Sequence, residues 1–212
     1  MINLQIEEYI SAFGQLKHLC EDLLPWAICA RTNDIIQRVA AELGPEYVRN
    51  GAVAIHRNAV VEQGVIVKGP VVIGKGCFIA AYSYLRNGVF LGEGVTVGPG
   101  CEVKASLIFP HSTLAHFNYV GNSLLGSYVN LEAGAVVANH YNECDRKEIE
   151  ILLDGCIYQT GITKFGALIG DYTKIGANAV TTPGTILSKR SIVKRLELVN
   201  QLNVLRQAPE SG

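Results

Sequence analysis

The residues best suited to chemistry fall between positions 102 and 142, and the densest segment there is Leu114-Ala-His-Phe-Asn-Tyr-Val-Gly-Asn122. His116 stands in it beside Asn118 and Tyr119. An imidazole is the side chain best able to accept a proton near neutral pH. Upstream, Arg86 and Lys104 are 18 residues apart. Like charges held in register repel, so such a pair points to an anion between them. Two solvated surface cations with a coincidental spacing fit the same numbers, and spacing alone leaves both readings open.

The elements that must carry these residues are set by a repeat. Stepping six residues at a time from Ile55 gives Val61, Val67, Ile73, Ile79, Leu85, Leu91, Val97 and Val103. After a five-residue step the series resumes at Ile108, Leu114 and Val120, and after another at Leu125, Leu131 and Val137, with Ile169 and Ile175 beyond. Gly often follows the aliphatic residue, as at 74, 92, 98 and 121, which suits tight corners. An amphipathic helix would space apolar residues at three and four, and hairpin sheets would show turns every ~8–12 residues. A period of six fits a parallel β-helix with flat sides, each side a short strand whose aliphatic residue points to the axis. Arg86 and Lys104 are then one three-sided coil apart and stack on one side.

The expected organisation has three parts. Residues 1–50 form a helical N-terminal cap over the first coil, with a helix capped by Thr32 or Asn33 and stopped at Gly44-Pro45. Residues 51–187 form the β-helix, interrupted at 143–164 by a hairpin turning at Asp154-Gly155. Residues 188–212 form a C-terminal helix and tail, with Ile192, Leu196, Val199 and Leu202 on one helical face.

Composition narrows the class. The net charge is −1 with cations scattered, which gives no electrostatic footprint for nucleic acid. No apolar run reaches the ~20 residues of a membrane span. The six cysteines form no CxxC pair and read as reduced, mostly buried thiols of a cytoplasmic protein.

Residues 84–142 and 164–184 resemble the acetyltransferase domain of the bifunctional N-acetylglucosamine-1-phosphate uridyltransferase/glucosamine-1-phosphate acetyltransferase family. The likeness runs through Leu85-Arg86-Asn-Gly88, Glu102-Val-Lys104, His116-Phe-Asn-Tyr119-Val-Gly121 and Asn130-Leu-Glu-Ala133-Gly134 to Asn139. It implies a left-handed coil in an all-β fold, a homotrimer with sites between subunits, and acetyl-CoA as cosubstrate with no metal. His116 matches the catalytic base and Asn139 a residue near the reacting centre. Arg86 and Lys104 match the residues that hold the sugar phosphate. Tyr119, Asn130 and Lys164 match further acceptor contacts, and Ala133 and Ala177 match backbone positions of the acetyl-CoA channel. The acceptor implied is an amino-sugar phosphate or a nucleotide-linked amino sugar. No Gly-rich nucleotide loop precedes the coils, so a separate nucleotidyltransferase is a possible partner. The 143–164 hairpin is an insertion relative to the family.

Two other classes stand beside this one. A non-catalytic hexapeptide scaffold would keep the residues without turnover. A zinc carbonic anhydrase of the same fold could use His111 and His116, but a catalytic zinc needs three protein ligands, His56 is remote and His140 lies beyond two later coils.

Overall fold

The computed structural model describes residues 2, 4–20 and 22–202. The six-residue period becomes a parallel coil with three faces. The first face comprises Val53–His56, Val71–Ile73, residues 89–91 and 106–108, Leu124–Leu125, Ala167–Ile169 and Thr185–Leu187. The second is a seven-stranded parallel sheet running from Val60–Val61 to Ile192–Val193. The third runs from Ile66–Lys68 through Tyr119–Gly121 to Leu198–Val199. Two strands, Tyr84–Leu91 and Glu102–Ile108, continue around the corner from the third face to the first.

The aliphatic series lines the axis. Leu85 pairs with Val103, Val103 with Val120 and Val120 with Val137, each one coil on. All four are fully buried, and burying such a side chain is worth about 1.5–3 kcal/mol. Corner glycines let the coils approach: a Cβ on Gly98 would overlap the Ala115 carbonyl.

The first face is apolar on its outer side as well. Ala54, Val72, Phe90, Leu107, Leu124, Leu168 and Ile186 are all buried outside the axis, in a cluster with the N-terminal helices and the hairpin. Four short helices supply most of the cover: α1 (Ile6–Tyr9), α2 (Lys17–Cys20), α3 (Pro25–Ala30) and α4 (Thr32–Glu42). They contact coils from early to late, since the Asp171 N–H donates to the Tyr9 carbonyl at 2.9 Å while α4 packs on Tyr84–Leu91. The helical segment therefore sheathes a lateral face and does not cap the first coil as expected. The outward apolar ladder is the reason, because it is the surface that most needs cover. The edge of the first coil is covered instead by Tyr47–Asn50, which pairs antiparallel with Val53–His56.

Thr32 is also placed differently. It is the first residue of α4, whose N-cap Arg31 has no side-chain cap. Its hydroxyl donates to the Asn87 carbonyl at 3.1 Å, and a Cβ on Gly88 (φ +87) would come within 2.6 Å of Thr32. Gly88 is thus the residue that lets the helix seat on the corner.

The insertion is a hairpin of Glu150–Leu153 and Cys156–Gln159. Asp154 and Gly155 both take positive φ, as a type I′ turn requires. Cys144 and Cys156 are exposed there, while Cys20, Cys29, Cys77 and Cys101 are buried.

The expected C-terminal helix is replaced up to Val199 by another coil. Ile192–Val193 and Leu198–Val199 are strands that pair with Lys174–Ile175 and Val180–Thr181. Leu187, Val193 and Val199 continue the six-residue series, and the polar Thr181 in the column hides that continuity. Gln201 and Leu202 are helical, and the rest of the expected segment, 203–212, lies outside the described residues.

Thr181 is buried in the axial column, and its hydroxyl has no hydrogen-bond partner among the described residues. An unsatisfied buried hydroxyl costs about 1–3 kcal/mol. Thr181→Val is therefore expected to stabilise the fold by roughly that amount, seen as a higher denaturation midpoint at unchanged m-value. An unchanged or lower midpoint would show that the hydroxyl is not a liability.

Candidate active site

The third face presents Tyr84, Glu102 and Tyr119 side by side, each opposite the next. At the edge toward the first face, Lys68 pairs in register with Arg86, Arg86 with Lys104 and Lys104 with Gly121. The stacking expected of Arg86 and Lys104 is present, and Lys68 extends it by one coil.

The chain itself supplies part of the counter-charge. Glu102 Oε1 accepts from Arg86 Nε at 2.8 Å and lies 2.6 Å from the terminal guanidinium nitrogen. The Arg86 guanidinium also lies 5.4 Å from the centre of the Tyr84 ring. Lys104 has no such partner among the described residues. Burial holds its ammonium below the ordinary 10.5, Lys164 and Arg86 push it further down, and Glu102 pulls it partly back. Lys164 arrives at the end of the insertion, so two elements far apart in sequence bring their cations together.

Asn139 completes this edge. Its amide donates to Asn122 Oδ1 at 2.7 Å, and it hydrogen-bonds Tyr119, whose phenol is raised above 10.0 first by burial and then by Glu102. Gly121 leaves room for them, since a Cβ there would meet Tyr119 Oη at 2.6 Å and Asn139 Nδ2 at 2.7 Å. Arg86, Lys104, Tyr119, Asn139 and Lys164 thus converge.

The other expected residues lie elsewhere in the protomer. His116 sits on the corner between the second and third faces, exposed, with no side-chain hydrogen bond or ion pair among the described residues. Ala133 and Ala177 stack on that same corner: the His116 carbonyl accepts from Gly134 N at 2.9 Å and the Ala133 carbonyl from Asn178 N at 3.0 Å. The third face separates this corner from the cations by three residues, about 10 Å at the rise of a strand. Asn130 faces outward on the second face, opposite Lys174. The Ala177 N–H donates to Glu132 Oε2 at 2.8 Å. Glu132 is also gripped by Arg195 at 2.8 and 2.7 Å, and these contacts hold its carboxyl below the usual range.

His111 belongs to a third corner, stacked on Tyr128 at 4.9 Å, with Tyr172 a further 5.0 Å along. It does not meet His116, and among the described residues no group of three metal-ligating side chains gathers.

Glu102, Lys68 and Asn122 were not singled out by their sequence. Lys68 lies 18 residues from Arg86, so the coil period would have found it, and Asn122 follows Gly121, which the shortened coil sets opposite Lys104. The wall opposite Lys104 had no such signal. A groove of about 440 Å³ opens there, lined by Asn87, Lys104, Asn122, Thr163 and Lys164 on one side and by Ala30, Thr32 and Asn33 on the other.

Coil, column and corner glycines define a hexapeptide-repeat parallel β-helix that gathers cations at one corner. Residues 49–150 match the family model described as the GMPPB C-terminal domain. The chain is 31% identical over 80% of its length to the bifunctional protein GlmU of Methanococcus vannielii, and 38% identical over 63% to a bifunctional sugar-1-phosphate nucleotidylyltransferase/acetyltransferase of Sulfurisphaera tokodaii. It spans 41% and 33% of those proteins respectively. Among solved structures, a hexapeptide transferase family protein from Anaplasma phagocytophilum overlaps 74% of this chain and 86% of its own at 17% identity and a TM-score of 0.40, so the fold rests on the coil registers above.

Because the folded state holds the Lys104 proton less tightly than the unfolded chain, that charge disfavours folding below its folded pKa, and the cost is relieved as pH climbs toward 10.5. Lys164→Ala is expected to raise the Lys104 pKa by removing a like charge. Nitrogen-detected NMR titration of the Lys104 ammonium checks this, and an unmoved titration would mean the two cations do not interact.

Proposed function

We propose that this chain is an acetyl-CoA-dependent N-acetyltransferase acting on a phosphorylated amino sugar, as a cytoplasmic homotrimer. The observation that carries the reading is Lys104, lacking a carboxylate partner and set beside Lys164, across one face from the exposed imidazole of His116. An acceptor phosphate at the Arg86–Lys104 edge directs its sugar over the third face toward that imidazole. The amine nitrogen attacks the thioester carbonyl, His116 takes the proton the nitrogen sheds, and the proton leaves with the thiol. A corner N–H is suited to the developing oxyanion. Ala133 and Ala177 line the path assigned to acetyl-CoA. The relative named as a nucleotidylyltransferase/acetyltransferase supports acetyl transfer, and a separate nucleotidyltransferase would then supply the other activity.

What is left uncovered supports association between copies of the chain. The chain's own helices hide the first face, whereas Val60, Phe78, Tyr82, Phe117, Ile192 and Leu196 are exposed on the second face and the corner beyond it. A second copy would cover them, and would bring residues such as Asn130 toward a neighbour's site. One observation favours the scaffold reading instead: Glu132 already occupies the Ala177 N–H.

His116→Ala is expected to lower kcat by about 10²–10⁴-fold, the usual worth of a general base, while sedimentation shows the same trimer. Full thiol release from acetyl-CoA by that variant would remove His116 from the reaction. Lys104→Ala should raise KM chiefly for phosphorylated acceptors, and an equal loss with neutral amines would count against its phosphate role. Acetyl-CoA binding without thiol release, across a panel of amino-sugar phosphates, would establish the scaffold.

A further inference from the structure

An acceptor held by its phosphate at Arg86 and Lys104, with its amine toward His116, places its sugar over the third face. Whatever is bonded to the far side of that phosphate must continue away from His116, around the corner toward the first face. The 440 Å³ groove opens there, and a simple sugar 1-phosphate leaves it empty.

Several features build this groove deliberately into the corner. Both five-residue steps of the repeat fall here: Lys104 leads into Ala105 (φ 48) and Gly121 into Asn122 (φ 48), each one residue shorter than the Arg86-Asn87-Gly88 corner below. The insertion rejoins the coil at the same place, where the Phe165 and Gly166 N–H groups donate to the Asn139 and Asn122 carbonyls at 3.0 and 2.9 Å. The opposite wall comes from the α3–α4 junction. Trp26 of α3 meets the Phe165 ring at 6.0 Å, edge to face, so one packed contact ties the two walls together.

The lining is chemically mixed in a particular way. Lys104 and Lys164 have no ion-pair partner among the described residues, while Arg86 is matched by Glu102. A diphosphate linkage carries one charge on each phosphorus, one for each lysine. Beyond them, Ala30 offers an apolar patch, and Asn33 and Asn87 offer amides that can both donate and accept, as the edge of a nucleobase requires.

We propose that the acceptor is a nucleoside diphosphate-linked amino sugar whose nucleotide end lies in this groove. The placement of the sugar rests on the acetyl-transfer reading above. Asn33 and Thr163, one on each wall, are then the residues that select the nucleotide.

The test compares the full chain's affinity for glucosamine 1-phosphate with its affinity for glucosamine linked to uridine, thymidine or guanosine diphosphate, by titration calorimetry. Thiol release from acetyl-CoA is followed in parallel. At least one nucleotide-linked probe is expected to bind about tenfold or more tightly than the sugar phosphate, a modest return for the added contacts. Asn33→Trp and Thr163→Trp, which fill the groove from opposite walls, should each erase that preference without changing glucosamine 1-phosphate binding. Equal affinity for all probes, no binding by any, or a preference that survives both variants would overturn the proposal. A groove-dependent preference with no thiol released by any probe would uphold the groove and remove the acetyl-transfer reading. Thiol release without a nucleotide preference would do the reverse.

Discussion

Every functional juxtaposition in this molecule depends on the register of parallel coils around one apolar column. Each axial side chain stacks on its counterpart one coil away, as Leu85, Val103, Val120 and Val137 do. A slip of one residue would turn the column outward and expose it, so register is enforced by the largest favourable term in the fold. Side chains that share a row with the column inherit that precision. Arg86 and Lys104 are neighbours because Leu85 and Val103 are.

The departures from the repeat are concentrated at one corner. Two shortened steps and the return of the insertion all meet between the third and first faces, where α4 also seats through Thr32 and Gly88. A regular coil offers a flat surface with little to distinguish one ligand from another. Removing a residue from successive corners draws the chain in, and flanking elements can then raise walls around the recess. The segments that are irregular as repeats are therefore the ones that give this surface its shape.

Charge is arranged to leave one demand open. Glu102 satisfies Arg86, and the Tyr84 ring lies beside the same guanidinium. Burial and two neighbouring cations disfavour the charged form of Lys104, an unfavourable arrangement that a bound anion would relieve. Glu132 is the counter-example on the opposite corner, where a carboxylate, Arg195 and the Ala177 N–H satisfy one another completely. One corner leaves a cation without a counter-ion, and the other pairs its carboxylate with a cation of its own.

The coil was legible in the sequence because its stabilising residues recur at a fixed interval, and so was the pairing of Arg86 with Lys104. The hairpin was legible because Asp-Gly demands a particular turn. The last coil is hidden in the sequence because Thr181 breaks the aliphatic series, although Leu187, Val193 and Val199 keep its step. The sheath could also have been anticipated: Val72, Phe90, Leu107, Leu124, Leu168 and Ile186 each precede a column residue on the same face and are all apolar. What sequence alone could not decide is which helix meets which corner. Thr32 and Asn33 lie about 70 residues from Lys104 and 130 from Lys164, outside any repeat. Only packing of the helices on the first face brings them together, because a tertiary contact between a periodic and an aperiodic segment leaves no period to read.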